Sequence, residues 1–167
     1  MDLLKKSYRD QEKNTDKEEV RNIQVVTFNI GKEEYAIDIM LVIEIIKTTQ
    51  VTKVPLSLDF VKGVVNLRGN IVPIVDLKKK FKIVSKENPK DVRFIVVDIH
   101  KKTIGFQIDK VNEVIMIPEN QIDSATAIVS GISQNYITGI AKLGNRLIIL
   151  LNIEKLLSEE ELEKITE

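Results

Sequence analysis

Two stretches of this chain are copies of two others, and that self-similarity limits what it can fold into. Setting Phe28 against Val97, an offset of 69 residues, brings the strand and turn around Tyr35 onto those around Ile104. At the same offset Val42-Ile43-Glu44-Ile45-Ile46 falls on Val111-Asn112-Glu113-Val114-Ile115. A second block, Gly63 to Phe81, aligns without a gap onto Gly139 to Leu157 at an offset of 76. Apolar meets apolar there at Val64/Ile140, Leu67/Leu143, Ile71/Leu147, Ile74/Leu150 and Leu77/Ile153. The difference between the offsets places an insertion around Asn120 to Gln134. A repeat of this length marks two copies of one supersecondary unit.

Each unit is built of strands. From Val25 onward, short runs of Val, Ile, Phe and Tyr alternate with turn residues, which is the signature of closely spaced strands. Gln24 to Ile30, the Gly31-Lys32-Glu33 turn and Tyr35 to Ile39 form a hairpin. Met40 to Ile46 fits a turn followed by a strand, and Thr52 to Asp59, with Pro55, a connecting loop. Val61 to Leu67 and Ile71 to Asp76 flank a turn that puts Arg68 at a hairpin tip. Pro73 argues for an edge strand or a bulge, because proline cannot donate to the ladder. About five strands per copy suffice for a small closed barrel without free edges. The expected fold is mainly β: two five-stranded barrels, over about 22–84 and about 90–152, in one domain spanning 22–167. A C-terminal helix is expected over about 154–166, where Leu156, Leu157, Leu162 and Ile165 recur at near-helical spacing and Ser158 is a candidate N-cap. Residues 1–21 mix charges with few apolar side chains and are expected to form a flexible tail.

Composition removes several functions. Lys plus Arg equals Asp plus Glu at 25 each, so no positive field holds a phosphate backbone or an anionic membrane. A small barrel binding single-stranded nucleic acid would need a basic groove with stacking aromatics; the chain has no tryptophan and eight Phe plus Tyr. No apolar run reaches the roughly 18 residues of a bilayer span, and a cytoplasmic location is expected. Without cysteine there is no thiolate nucleophile or cysteine-ligated metal. His100, the lone histidine, lies in a turn beside Lys101 and Lys102, with no nucleophile or orienting group nearby. Gly139 and Gly144 have the spacing of a phosphate loop, but Asn145 and Arg146 stand where lysine and a hydroxyl belong. Asp38, Glu44, Asp76, Asp98, Asp109 and Glu113 fit solvated or lysine-paired acids better than a catalytic pair. No catalytic residue, metal or cofactor is expected.

What remains is an asymmetry between the copies. Asn66-Leu67-Arg68 in the first meets Lys142-Leu143-Gly144 in the second, in a chain with five arginines against twenty lysines. A planar guanidinium suits bidentate contact with a carboxylate, or an interface, better than an ammonium does.

These residues resemble the CheW-like chemotaxis coupling proteins. The likeness is carried by Phe28 to Ile39, by Val42-Ile43-Glu44-Ile45, and by Val61 to Leu77 with its Asn66-Leu67-Arg68-Gly69 block. Ile108 to Val114 and Tyr136 to Gly139 resemble the second half, and the likeness runs from about Val25 to Leu157. The resemblance implies paired SH3-like barrels and a non-enzymatic adaptor that binds the cytoplasmic tip of chemoreceptors in a groove between them. Val42, Glu44, Arg68, Val111 and Val114 would line that groove, with Gly63 holding nearby backbone. It also implies a contact with the regulatory domain of the histidine kinase CheA, barrel end to barrel end, in arrays at the membrane. The departure lies in Ser124 to Ser133, where the family often carries prolines and this chain has Ala125, Ala127, Ile128 and Val129. The kinase-facing positions there would be Ala127, Ile128 and Val129. The same module occurs fused to a receiver domain in CheV-type adaptors and within the kinase itself.

Overall fold

The computed structural model describes residues 21–55, 58–86, 88–124 and 134–166. Asn22–Ile30 (β1) and Glu33–Asp38 (β2) pair as a hairpin, followed by Val42–Lys47 (β3), Val61–Leu67 (β4) and Asn70–Asp76 (β5). A one-turn helix, Leu77–Lys80 (α1), ends the first half. The second half repeats the order: Arg93–Ile99 (β6), Lys102–Ile108 (β7), Lys110–Pro118 (β8), Ile122–Asp123 (β9), Ile137–Leu143 (β10) and Arg146–Leu151 (β11). Glu159–Thr166 (α2) is the C-terminal helix. The expected tail lies outside the described residues up to position 20.

The halves do not fold side by side. One sheet runs β8-β1-β2-β11-β10-β9 and the other β3-β6-β7-β5-β4. Each therefore takes the leading hairpin of one half and the trailing strands of the other, so the sheets cut across the spans 22–84 and 90–152. The exchange happens where the chain crosses between sheets, after β2 through a 3-10 turn at Ile39–Leu41 and after β7 at Asp109. Two parallel pairings fix it, β11 with β2 (Ile149 opposite Tyr35) and β5 with β7 (Val75 opposite Phe106). Hydrophobic patterning predicts strands and faces but not which strand is whose neighbour.

Because each sheet curls, its central strands are buried on both faces, which is why β6 and β11 are almost continuously apolar. Val25, Ala36, Ile148 and Leu150 form the inner core of the first sheet. Its end strands, β8 through Ile115 and Ile117 and β9 through Ile122, meet over that same cluster. In the second sheet Val72, Ile74 and Phe94 are enclosed between Ile46 of β3 and Val65 of β4, again the two ends. The opposite faces join in one larger core, with Val26, Phe28, Tyr35 and Ile37 from one sheet meeting Ile95, Val97, Ile104 and Phe106 from the other. Burying each such side chain contributes about 1.5–3 kcal/mol, so the exchanged hairpins are held by the core they share.

Closure uses the same device twice. Thr52 exchanges both backbone hydrogen bonds with Val64 at 2.8 Å, while β9 pairs with β10 through Asp123 and Ile140. A register shift lies beside each, at Val61/Gly63 and Ile137/Gly139. Gly63 has φ +147, and a Cβ there would collide with the Thr52 carbonyl; one on Gly139 would lie 2.8 Å from the Asp123 carbonyl. The closing strands come too close for any side chain at either position.

Pro73 departs from expectation, since β5 lies inside its sheet between β7 and β4. Val64, opposite Pro73, spends its own N–H and C=O on Thr52. The pair is thus a non-hydrogen-bonded one, and the missing donor faces β7, whose ladder begins one residue later at Ile74.

The C-terminal segment starts with a 3-10 turn at Ile153–Lys155, capped by Asn152 as Asp76 caps α1. α2 then opens on a capping box: Glu161 N–H donates to Ser158 Oγ at 3.0 Å, and Ser158 N–H to Glu161 Oε1 at 2.9 Å. Leu162 and Ile165 enter the shared core. Lys80 Nζ, 4.3 Å from the Phe60 ring centroid, binds Glu161 at 2.8 Å and ties α2 to α1. Burial alone would raise the Glu161 carboxyl, but hydrogen bonds from Lys80 and Ser158 hold it below its usual range. The folded state therefore binds this proton less readily than the unfolded chain. The stabilisation is complete above the unfolded value of 4.5 and is lost as pH falls through the lower folded value. Acid titration followed by the amide signals of Leu162 and Ile165 should show α2 loosening in that window. Glu161→Gln should loosen α2 already at neutral pH and lack the step.

Candidate functional site

β3 and β8 are repeat mates, and each is the first strand after the crossing between sheets. Each also carries a register irregularity, at Val42/Glu44 against β6 and opposite Thr27/Phe28 of β1. The irregularity changes which face the next side chains take. Val42 and Val111 pack partly buried against the shared core. Past the bulge, Val114 stands opposite Val26, and Ile45 opposite Ile95, on the faces that carry the shared core. At this end position both remain exposed, Val114 at 49%. Exposed Ile43, the extra residue of the β3 bulge, widens the strip.

Glu44 alternates with Ile46, which points into the inner core of the second sheet. Its carboxylate thus sits at the mouth of that curled sheet. Arg68, at the β4–β5 turn, reaches over it, with Nη2 2.6 Å from Glu44 Oε2. The hydrogen bond to Glu44, and its charge, raise the Arg68 guanidinium further above its already high range. Oε1 of Glu44 is buried and unpartnered among the described residues. Arg68 and Gly69 take φ of 52 and 85, the two positive values of a type I′ hairpin turn, where Asn-Gly or Gly-Gly is the usual choice. Asn66 accepts from Gly69 N–H at 2.8 Å and holds the turn. An exposed arginine in left-handed backbone is a costly way to make a turn, so the side chain, not the turn, accounts for the residue.

The first sheet carries a counterpart that the sequence comparison missed. Arg146 donates through Nε and Nη2 to Glu34, at 3.1 and 2.7 Å, and through Nη1 to Glu113 at 2.6 Å. Glu113 is the repeat mate of Glu44, so each sheet has an arginine on the equivalent carboxylate. The second arginine comes from two residues further along, at the start of β11, which hid the correspondence. Hydrogen bonds from Arg146 hold the Glu34 carboxyl below its usual range against the opposing effect of burial. Exposed Ile71 and Leu147, also repeat mates, flank the two turns.

Of the residues the sequence singled out, Glu44 and Arg68 are in contact, and Val42 and Val111 border one core with Val114 beside Val26. Gly63 is buried at the closure and offers a partner no side chain. Ala127, Ile128 and Val129 lie outside the described residues. His100 occupies the β6–β7 turn, exposed, with φ 51. Among the described residues no group of acids and histidine is placed to hold a metal ion, and no helix is long and apolar enough to cross a membrane.

Two curled sheets thus share a common core, each with an arginine–glutamate pair at its mouth and apolar side chains exposed beside it. The CheW-like domain matches residues 24–161, and the chain belongs to that family of chemotaxis scaffolding proteins. It is 40% identical to the chemotaxis protein CheW of Klebsiella aerogenes over 139 residues, covering 83% of this chain and 84% of that one. It is 38% identical to the chemotaxis protein CheW of Helicobacter pylori over 148 residues, covering 89% of this chain and 88% of that one. The crystal structure of the scaffolding protein TtCheW from Thermoanaerobacter tengcongensis superposes with a TM-score of 0.76 at 36% identity, covering 84% of this chain and 91% of that one.

Proposed function

We propose that this chain is a non-catalytic cytoplasmic adaptor that couples chemoreceptors to the histidine kinase CheA within receptor arrays. The observation that carries the reading is the ion pair of exposed Arg68 with half-buried Glu44, on the strand that also carries half-buried Val42 and exposed Ile45. An amphipathic receptor helix laid there would place apolar residues on Val42, Val111 and Val114 and an acid or carbonyl on Arg68, the helix-in-groove mode. Gly63 serves the site indirectly, by letting the second sheet close beneath it. The kinase contact is assigned by family likeness to the segment holding Ala127, Ile128 and Val129. Coupling then consists of fixing the geometry of receptor and kinase so that a change in one biases the other.

Reconstitution tests this. With receptor signalling fragments on vesicles and purified CheA, adding the chain should raise kinase autophosphorylation well above that of kinase and receptor alone. Val111→Asp, which charges the border of the groove, should remove most of that rise with CheA binding retained. Kinase activity indifferent to the chain would overturn the adaptor reading.

A further inference from the structure

The two halves part after Phe81 and its repeat mate Leu157. In the second half, Ser158 starts α2, whose end lies with Lys102 and Thr103, at the start of β7, around one hollow, through Ile165 and Thr166. In the first half no helix follows among the described residues. Residues 82–86 and the equivalent β1–β2 turn, Gly31 to Glu33, instead border an open cleft of about 760 Å³. Ile30, Phe81 and Ile83 give it an apolar lining, and Val84 stands 97% exposed at its rim.

Charge at the cleft is unbalanced in a chain whose net charge is zero. Exposed Lys32, Lys82 and Lys86 surround it, and an adjoining hollow that shares Gly31 adds Lys90 and Lys110. None of these lysines has a carboxylate within salt-bridge distance among the described residues. Two of the neighbouring acids are already engaged. Glu33 accepts from the Tyr35 hydroxyl at 3.0 Å, while Asp109 accepts from Gly31 N–H at 2.8 Å and pairs with Lys78. Asp91 remains beside the smaller hollow.

We infer that this cleft docks an acidic amphipathic helix of a partner protein. The fold supplies the precedent, because in its other half the corresponding place is filled by α2, with Glu159, Glu160 and Glu161 in its first turn and Leu162 and Ile165 buried beneath. The first half has the apolar seat and the lysines but, among the described residues, no helix after Phe81 to cover them. An incoming helix would set apolar residues one turn apart on Ile83 and Val84, over buried Phe81, and carboxylates against Lys32, Lys82 and Lys86. This site is separate from the Arg68 surface and does not depend on the receptor reading.

The probe is a synthetic peptide copying residues 158–167, titrated into the ¹⁵N-labelled full chain. Saturable shifts are expected at Gly31, Lys32, Ile83 and Val84. Lys82→Glu with Lys86→Glu should weaken binding by about tenfold, and a peptide with lysine in place of its glutamates should bind that variant better than the original chain. Absence of saturable shifts, shifts confined to Lys102, Thr103 and Leu162 (the peptide exchanging with α2), or affinity unchanged by the double reversal would each overturn the inference.

Discussion

Gly63→Ala is expected to be the most destabilising single methyl that can be added to the second sheet. The new Cβ would meet the Thr52 carbonyl, which is backbone and already hydrogen-bonded to Val64, and would lie 2.8 Å from Val51 Cγ1. The φ of +147 adds strain that no L side chain escapes. Overpacking and backbone strain each cost about 1–3 kcal/mol, so a loss of about 3–5 kcal/mol follows. At about 2–4 °C per kcal/mol for a chain of this size, thermal unfolding should drop by about 6–20 °C. Gly69→Ala is the control, because its φ is also positive, at 85, but nothing lies within 4 Å of the added carbon. Its fall should be several times smaller. Equal falls would show that backbone conformation alone, and not closure against Thr52, dictates glycine at position 63.

Arg68→Glu should leave stability intact and remove receptor binding. Arg68 is exposed, makes one ion pair and occupies backbone that disfavours it, so the fold loses little when it goes. The reversal sets a carboxylate where the acid or carbonyl of the receptor would lie, and a like charge at a protein interface costs several kcal/mol. Affinity for a receptor-tip fragment should fall by about a hundredfold or more, with the melting temperature nearly unchanged. Glu44→Arg combined with Arg68→Glu restores the pair in reverse. If the pair served only to cap the sheet, that double variant would bind normally; if Arg68 itself meets the receptor, binding stays lost.

Strand positions were legible because their signals are local. β4 and β10 follow one another at an offset of 76, and Gly63 and Gly139 reappear at the same structural joint. The exchange of hairpins was not legible, because a repeat shows that two units are alike without showing which strands pair. Nor was the internal position of Pro73, which depends on Val64 turning its hydrogen bonds towards Thr52, a contact across a loop that no periodicity reports. For the site, the resemblance placed Arg68 and Glu44 together and the structure joins them at 2.6 Å. Arg146 escaped because the repeat mate of Arg68 is Gly144, whereas the partner of Glu113 sits two residues further along the chain. The exposure of Ile45, Ile71 and Leu147 was not legible either, since an apolar residue on a strand does not declare whether its face is covered.

The most direct test is heteronuclear NMR of the labelled chain titrated separately with a receptor cytoplasmic-tip fragment and with the CheA regulatory domain. Shifts that saturate at Val42, Arg68, Val111 and Val114 with the receptor fragment, and at a different end of the molecule with the kinase domain, are the predicted result. Receptor-induced shifts that leave Arg68 and the three valines unmoved, or a kinase domain that competes for the same residues, would contradict the account.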